Sequence, residues 1–532
     1  MQGPKIDKQI FWAALIVIGG LVVPLVLFPE AGQEKLGAVL GFTTGKMGWS
    51  YLWFAIASFF ILATLAIGRF GNVRFGGPDA RPEFSLPSWV AMLFCAGIGA
   101  SVLYWGTIEW AYYYTGPPFG IEPKTDTAAE WAAMYGLFHW GFTAWAIYCI
   151  PTLPLAYMLW NRKRAVLRLS AACTAVIGEK AAAGWPGKII DITFMFGLIG
   201  GIGTSMGLGT PMLSAGIAEL VGVERDFKLD VIVVIIWAAI FGASVYSGLE
   251  KGIKRLSDLN LILIVIILGF TFLFGPTVFM LTTFTNSIGL LVQNFIQMSF
   301  WTDPVAKGGF PEGWTIFYWA WWIAYAPFMG LFVARISYGR TIRQLIVAEL
   351  VGGSFGCWIF FGILGNTGMY FDLNNIVPIS QIVSDVGGAE AVVATVVGVG
   401  ENSGIPLIAP IILVVFIVLA FIFGATTLDS SAFTLASVAT EEQEDATTEP
   451  ARWHRLFWAI ILAGVSLSLM YLGGLKPLQT ASIVVALPLM VVLIIMTMSF
   501  FRWLKEDYPE AGLETKIAVD AEPKPSDVPA GE

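Results

Sequence analysis

The chain has 532 residues, 57% of them hydrophobic and 13% charged, with a mean hydropathy of +0.74. An ordinary soluble domain carries about 25% charged residues, so most soluble folds are excluded and a polytopic membrane protein, partnered by the lipid bilayer, is indicated. The net charge of −8 comes largely from solvated segments and gives no reason to expect a nucleic-acid partner, while the four cysteines and two histidines lack metal-ligand spacing.

A spanning helix needs about 20 mostly apolar residues, and the sequence predicts twelve, first at 9–29 and 48–68. The others lie at 87–114, 129–160, 188–217, 229–248, 256–281, 313–335, 346–370, 405–437, 454–473 and 478–500. The first is too long for a cleavable signal peptide and no small-residue cleavage site clearly follows it. With an even number of spans, the connections on the side of the termini hold 23 Lys and Arg and those on the other side 7. Such a split places both termini in the cytoplasm of a multi-pass protein of the cell (inner) membrane. Residues 283–301 mix apolar and amide side chains at helical spacing, as a helix lying along the outer interface would. Residues 371–404 contain no Lys or Arg and read as a long outer loop, and the tail beyond 500 reads as disordered.

Three places carry unusual residues for their depth. In the third span, Gly97 and Gly99 precede Ser101, Tyr104 and Glu109. A glycine pair alone is explained by close helix packing, but an ionisable group within a span favours a functional site around a broken helix. The eighth span holds Trp319, Trp321, Trp322 and Tyr325, of which the last three lie well inside the interface where tryptophan normally collects, and Pro327 and Gly330 favour a kink or local unwinding. The fourth span adds Trp140, Trp145 and Tyr148. Aromatic stripes often serve packing alone. Several such rings around a space without a carboxylate would instead hold a quaternary ammonium, which cannot donate hydrogen bonds and is bound by cation–π attraction.

At these residues the sequence resembles the betaine/choline/carnitine transporter family. The run from Trp319 to Trp322 and on through Ala334, Arg335 and Gly339-Arg340, with Phe138-His139-Trp140 and Trp145 to Tyr148, carries the resemblance, which covers roughly residues 45–505. It implies an all-α LeuT-like fold with two inverted five-helix repeats at 87–281 and 313–500. Two extra helices over 1–86 would precede them, an interfacial helix and outer loop at 282–312 would separate them, and a cytoplasmic tail over 501–532 would follow. It implies a homotrimer moving trimethylammonium compounds, with Tyr104, Trp140, Trp145, Tyr148, Trp319, Trp321, Trp322 and Tyr325 lining the substrate site. Sodium, the expected coupling ion, would be held by carbonyls of Cys95 and Ile98, by Phe423, and by the Thr426 and Thr427 hydroxyls just before Asp429. A structural alternative is that both threonines bond back to their own helix. Where a second family sodium site has threonines this chain has Leu198 and Ile202, and Met329 stands where the family's exchanger has a methionine that replaces the ion.

The expected function is therefore secondary active import of glycine betaine, carnitine, choline or dimethylsulfoniopropionate by sodium symport. Sodium-independent exchange of the carnitine type is the alternative. An intramembrane enzyme is a remote one, because no acid–base or metal constellation lies at mid-depth, and no cofactor is expected.

Overall fold

The computed structural model describes residues 5–164, 166–247, 249–441, 450–472 and 475–509, without the side chains of residues 33, 95–97, 241–258, 472–479 and 481–482. Among the described residues there are helices but no strands, and the only β pairing is two isolated bridges, Ile6 with Thr440 and Arg74 with Thr341. That follows from the solvent: in hydrocarbon every backbone polar group must be satisfied within its own segment.

In chain order the principal helices are α1 (Lys8–Leu27), α2 (Pro29–Ile67), α3 (Leu86–Ile98), α4 (Ser101–Thr115), α5 (Asp126–His139) and α6 (Phe142–Trp160). Then come α7 (Trp185–Val221), α8 (Phe227–Ser247), α9 (Leu249–Phe274), α10 (Thr277–Phe300), α11 (Ile316–Ile336) and α12 (Ile342–Leu373). Last are α13 (Ile379–Asp385), α14 (Gly388–Glu401), α15 (Ile408–Val438), α16 (Arg452–Leu472) and α17 (Leu475–Asp507). Among the described residues nine helical segments are long and apolar enough to cross a membrane, or ten if the bent pair α9–α10 counts as one. The count falls below twelve partly because the expected third span is broken into α3 and α4, each too short alone.

Local chemistry sets the helix ends. The Asp7 carboxylate caps α1, accepting from the N–H groups of Gln9 and Ile10, and a Thr341/Gln344 capping box opens α12. Between α9 and α10 the chain turns by 105° at Gly275-Pro276, so α10 leaves sharply from the direction of α9. The outer segment expected as a loop is largely helical: α13 and α14 occupy most of 379–401, because apolar residues recur there at helical spacing against α4 and α15. The last helix also overruns the expected boundary, continuing apolar and amphipathic through Trp503 and Leu504 to Asp507. Most of the tail expected to be disordered, residues 510–532, lies outside the described residues.

The centre of the structure is the crossing of α6 and α11, flanked by α7 and α17. The two helices meet where Gly330 offers no side chain: a Cβ there would fall 2.9 Å from Leu155 Cδ1 and 3.2 Å from the Thr152 nitrogen. The local unwinding expected at Pro327–Gly330 does not occur: α11 is one continuous α-helix with Pro327 inside it. Proline removes a single backbone donor, and close packing along α6 holds the helix in register. Irregularity appears instead as π turns at Pro311–Thr315, before α11, and at Ala348–Gly353 and Phe361–Gly365 within α12.

A candidate cage for a methylated cation

Two helix breaks bring the aromatic residues together. Between α3 and α4, Gly99 adopts φ +53° and ψ −160°, a region only glycine occupies comfortably, and a Cβ there would also stand 2.9 Å from Thr427 Oγ1. Between α5 and α6 the chain breaks at Trp140-Gly141, where a side chain on Gly141 would strike the Leu137 carbonyl at 2.4 Å and the Trp358 ring at 3.2 Å. The second break swings Trp140 away from the helical face shared by Trp145 and Tyr148, which allows all three to approach α11.

The result is a cavity bounded by Trp140, Tyr148, Trp321, Trp322 and Tyr325, with Ile98 to Ser101, Gly424 and Thr427 completing its wall. Its described lining contains no charged side chain. Trp140 stands edge-on to both tryptophans of α11, with centroids 6.2 Å from Trp321 and 5.5 Å from Trp322. Tyr148 lies 4.3 Å from Trp322, and Tyr325 lies edge-on to Trp321 at 6.4 Å. Edge-to-face rings are the favoured arrangement for quadrupoles, and the faces left over are negative surfaces suited to a cation.

The other expected aromatic residues lie around this cavity rather than on it. Trp145 packs behind Trp322 at 5.9 Å and presses on Gly353 of α12, where a Cβ would come within 2.1 Å of its ring. Trp319 faces Phe138 and His139 at 5.5 and 5.8 Å. Tyr104 is covered by α14, its hydroxyl 2.1 Å from where a Cβ on Gly388 would be. That lid is tied down by Arg225, which bonds Asp230 through two nitrogens and Glu390 through a third at 3.0 Å.

Polar groups fix the rings. The Trp321 indole donates to the Gly201 carbonyl at 3.3 Å, and the Tyr325 hydroxyl shares a 2.6 Å bond with Ser205, to which Ser101 donates at 3.2 Å. Glu109 is fully buried and gathers donors from three elements. Its carboxylate accepts from Trp140 Nε1 at 2.9 Å, from Tyr113 Oη at 2.6 Å and from the Tyr318 hydroxyl. Tyr113 gives its one proton to Glu109, so His139 Nδ1, 2.8 Å away, must donate to the phenol oxygen, and Nε2 then accepts from Thr315 Oγ1 at 3.1 Å. The hydrogen-bond pattern thus assigns the Nδ1–H tautomer.

Ser205, Met206 and Trp237 also line the cavity and were not anticipated. Trp237 is a mid-span tryptophan seated on Gly424, whose Cβ would fall 2.2 Å from the ring. Its depth, the same signal that singled out α11, was available in the sequence. Ser205 follows a glycine-rich run in α7, and nothing in that run alone marks it.

The oxygen-rich corner lies where Thr427 meets the α3–α4 break. Thr426 donates to the carbonyls of Ile422 and Phe423, and Thr427 to that of Phe423 at 2.9 Å. Both hydroxyl protons are therefore turned back to the helix, as the structural alternative requires. The oxygen lone pairs remain, and Thr427 Oγ1 lies beside the backbone of Gly99, where helix interruption frees carbonyls. Neutral oxygens of this kind suit a hard cation. The surroundings of Cys95 and Gly97 lie outside the described residues, and Asp429 is turned toward Arg455 of α16 at 3.1 Å. Met329, Leu198 and Ile202 are all buried.

A family model described as BCCT, betaine/carnitine/choline family transporter, matches residues 9–509, nearly the whole chain. The chain belongs to the betaine/carnitine/choline transporter family and is a multi-pass membrane transporter, not an enzyme.

Proposed function

We propose that the protein imports a methylated onium compound (glycine betaine, carnitine, choline or dimethylsulfoniopropionate) by sodium symport and alternating access around the aromatic cavity. The observation that carries this reading is the convergence of Trp140, Tyr148, Trp321, Trp322 and Tyr325 on a space whose described lining has no charged side chain. A methylated onium group offers no N–H to an acceptor, so rings hold it and a carboxylate would add little selectivity. Glu109, close by, is engaged by three donors and serves to orient Trp140 and Tyr318 rather than to meet the cation.

Sodium enters the reading through Thr427 and Gly99. The ion would sit among hydroxyl and carbonyl oxygens at the α3–α4 break, beside the cavity, so that its binding favours the same backbone geometry as the substrate. Met329, Leu198 and Ile202 supply no oxygen for a second ion, which supports one sodium per cycle. The working unit in this reading is a homotrimer in the cell (inner) membrane, with cytoplasmic termini. Each protomer has twelve spans in a LeuT-like pair of inverted repeats, 87–281 and 313–500.

The test is uptake of the four labelled compounds into proteoliposomes, with and without an inward sodium gradient, at a potential clamped with potassium. Accumulation of one compound only under the gradient is expected. Uptake that ignores sodium but accelerates in vesicles preloaded with a related compound would make the protein an exchanger instead.

A further inference from the structure

Glu349 stands on the first π turn of α12, seven residues, or about 10 Å at about 1.5 Å per residue, from the helix start at Ile342. Its residue is 1% exposed, and neither carboxyl oxygen has a hydrogen-bond partner. The polar groups that face it come from α6, the Cys149 thiol and the Thr152 hydroxyl. Elsewhere in α12, Arg343 is committed to the Ala66 carbonyl and Cys357 lies beside Trp145, while α3, which also packs on this turn, has no charged residue in its sequence. No cation therefore faces the carboxyl from those residues.

An ionised carboxylate in such a place lacks the partner that a buried charge requires. The donor inventory is equally one-sided. Thr152 has one proton and gives it to the Tyr148 carbonyl at 2.8 Å, so toward Glu349 its oxygen can only accept. A carboxylate has nothing to donate to it, whereas a carboxylic acid has. The Cys149 thiol is a weak donor at best.

We propose that Glu349 is a proton-binding site of the transport cycle: it carries a proton as a neutral acid in this arrangement and gives it to water, COOH and H₂O becoming COO⁻ and H₃O⁺, when α12 parts from α6 and solvent reaches it. The contacts give that exchange a route to the substrate. Thr152 is bonded to the backbone of Tyr148, a ring of the cavity, and Gly353, one turn beyond Glu349, lies against Trp145. A charge on Glu349 would oppose the close contact of α12 with α6 and loosen the support behind Trp322. Protonation thus favours the closed packing, and the inference rests on the protein being a transporter but not on which onium compound it carries.

Infrared spectroscopy of the full-length protein in lipid tests the first half. At neutral pH the wild type should show the carbonyl stretch of a buried carboxylic acid, which Glu349→Gln should lose and Glu109→Gln should keep. Uptake of labelled glycine betaine tests the second half. The wild-type rate should fall about tenfold per pH unit above the titration point of a single proton, and that of Glu349→Gln, the neutral mimic, by less than about twofold over the same range. Absence of the band in the wild type, its persistence in Glu349→Gln, or the same pH slope in both proteins would overturn the proposal. If the wild type fails to take up glycine betaine, the substrate reading is at fault, and the infrared band alone decides for Glu349.

Discussion

The indole N–H of Trp140 points at the carboxylate of Glu109, 2.9 Å away, so a ring of the cavity is aimed by a fully buried acid one helix away. A hydrogen bond to a charged group contributes about 1.5–3 kcal/mol, and Glu109 also holds Tyr113 and Tyr318. Glu109→Ala is expected to weaken glycine betaine binding at least about tenfold, as followed by tryptophan fluorescence. Unchanged affinity in a folded variant would show that Trp140 needs no such anchor.

Trp322 and Trp319 are three residues apart on one helix yet occupy different surroundings, one on the cavity and one against Phe138 and His139. Trp322→Ala should weaken binding by up to about 2 kcal/mol, roughly 30-fold. Trp319→Phe, which keeps an aromatic ring among its neighbours, should shift the dissociation constant by less than about threefold. Equal losses in both variants would argue that ring packing, not cation contact, sets affinity.

Gly99 meets two demands, its backbone region and its closeness to Thr427 Oγ1. Gly99→Ala should cost about 1–3 kcal/mol of stability and raise the sodium concentration for half-maximal uptake. Combining it with Thr427→Ala removes the atom the new methyl would strike, so a double-mutant cycle of thermal unfolding should show the two changes to be less than additive. Additive losses would place Thr427 away from the break. A normal sodium response in Thr427→Ala alone would leave that hydroxyl a purely structural role.

Asp7 gives a pH dependence outside the membrane. Burial opposes its ionisation, but the Ile10 N–H, Arg168 and Lys188 outweigh it and hold the carboxyl below the usual carboxylate range. The folded-state value is the lower one, so this contribution is present above the unfolded carboxyl's titration near about 3.9 and is lost as pH falls through the folded value. Asp7→Asn keeps the cap but loses the charge. Its melting temperature should lie below that of the wild type at pH 7, and the two should converge below about pH 4. A gap that persists in acid would assign the effect to the cap.

The sequence reading captured features with a local cause. Apolar length marked the nine or ten membrane-capable helices of the described residues, Gly97 to Ser101 the place where α3 gives way to α4, and amide spacing over 283–301 a helix that turns away by 105°. It did less well where the cause is tertiary. Pro327 reads as a break, but packing against α6 keeps α11 continuous. The residue facing the cavity cannot be chosen among Trp319, Trp321 and Trp322 from spacing alone, because the break at Trp140-Gly141 sets which side of α11 meets α6. Glu349 drew no notice because a single carboxyl early in a span resembles an interfacial residue until its missing partners are known.

The two π turns of α12 have a mechanical consequence. Each holds one residue more than the α-helix around it needs, so the helix stores spare length. Passing such a turn along the helix advances each residue it crosses by one position, a rotation of about 100°, while the backbone stays hydrogen-bonded within the membrane. Glu349 lies in one of these turns. α12 therefore has the means to turn this side chain from the buried α6 face toward another neighbour without unfolding, a local change of register instead of a hinge.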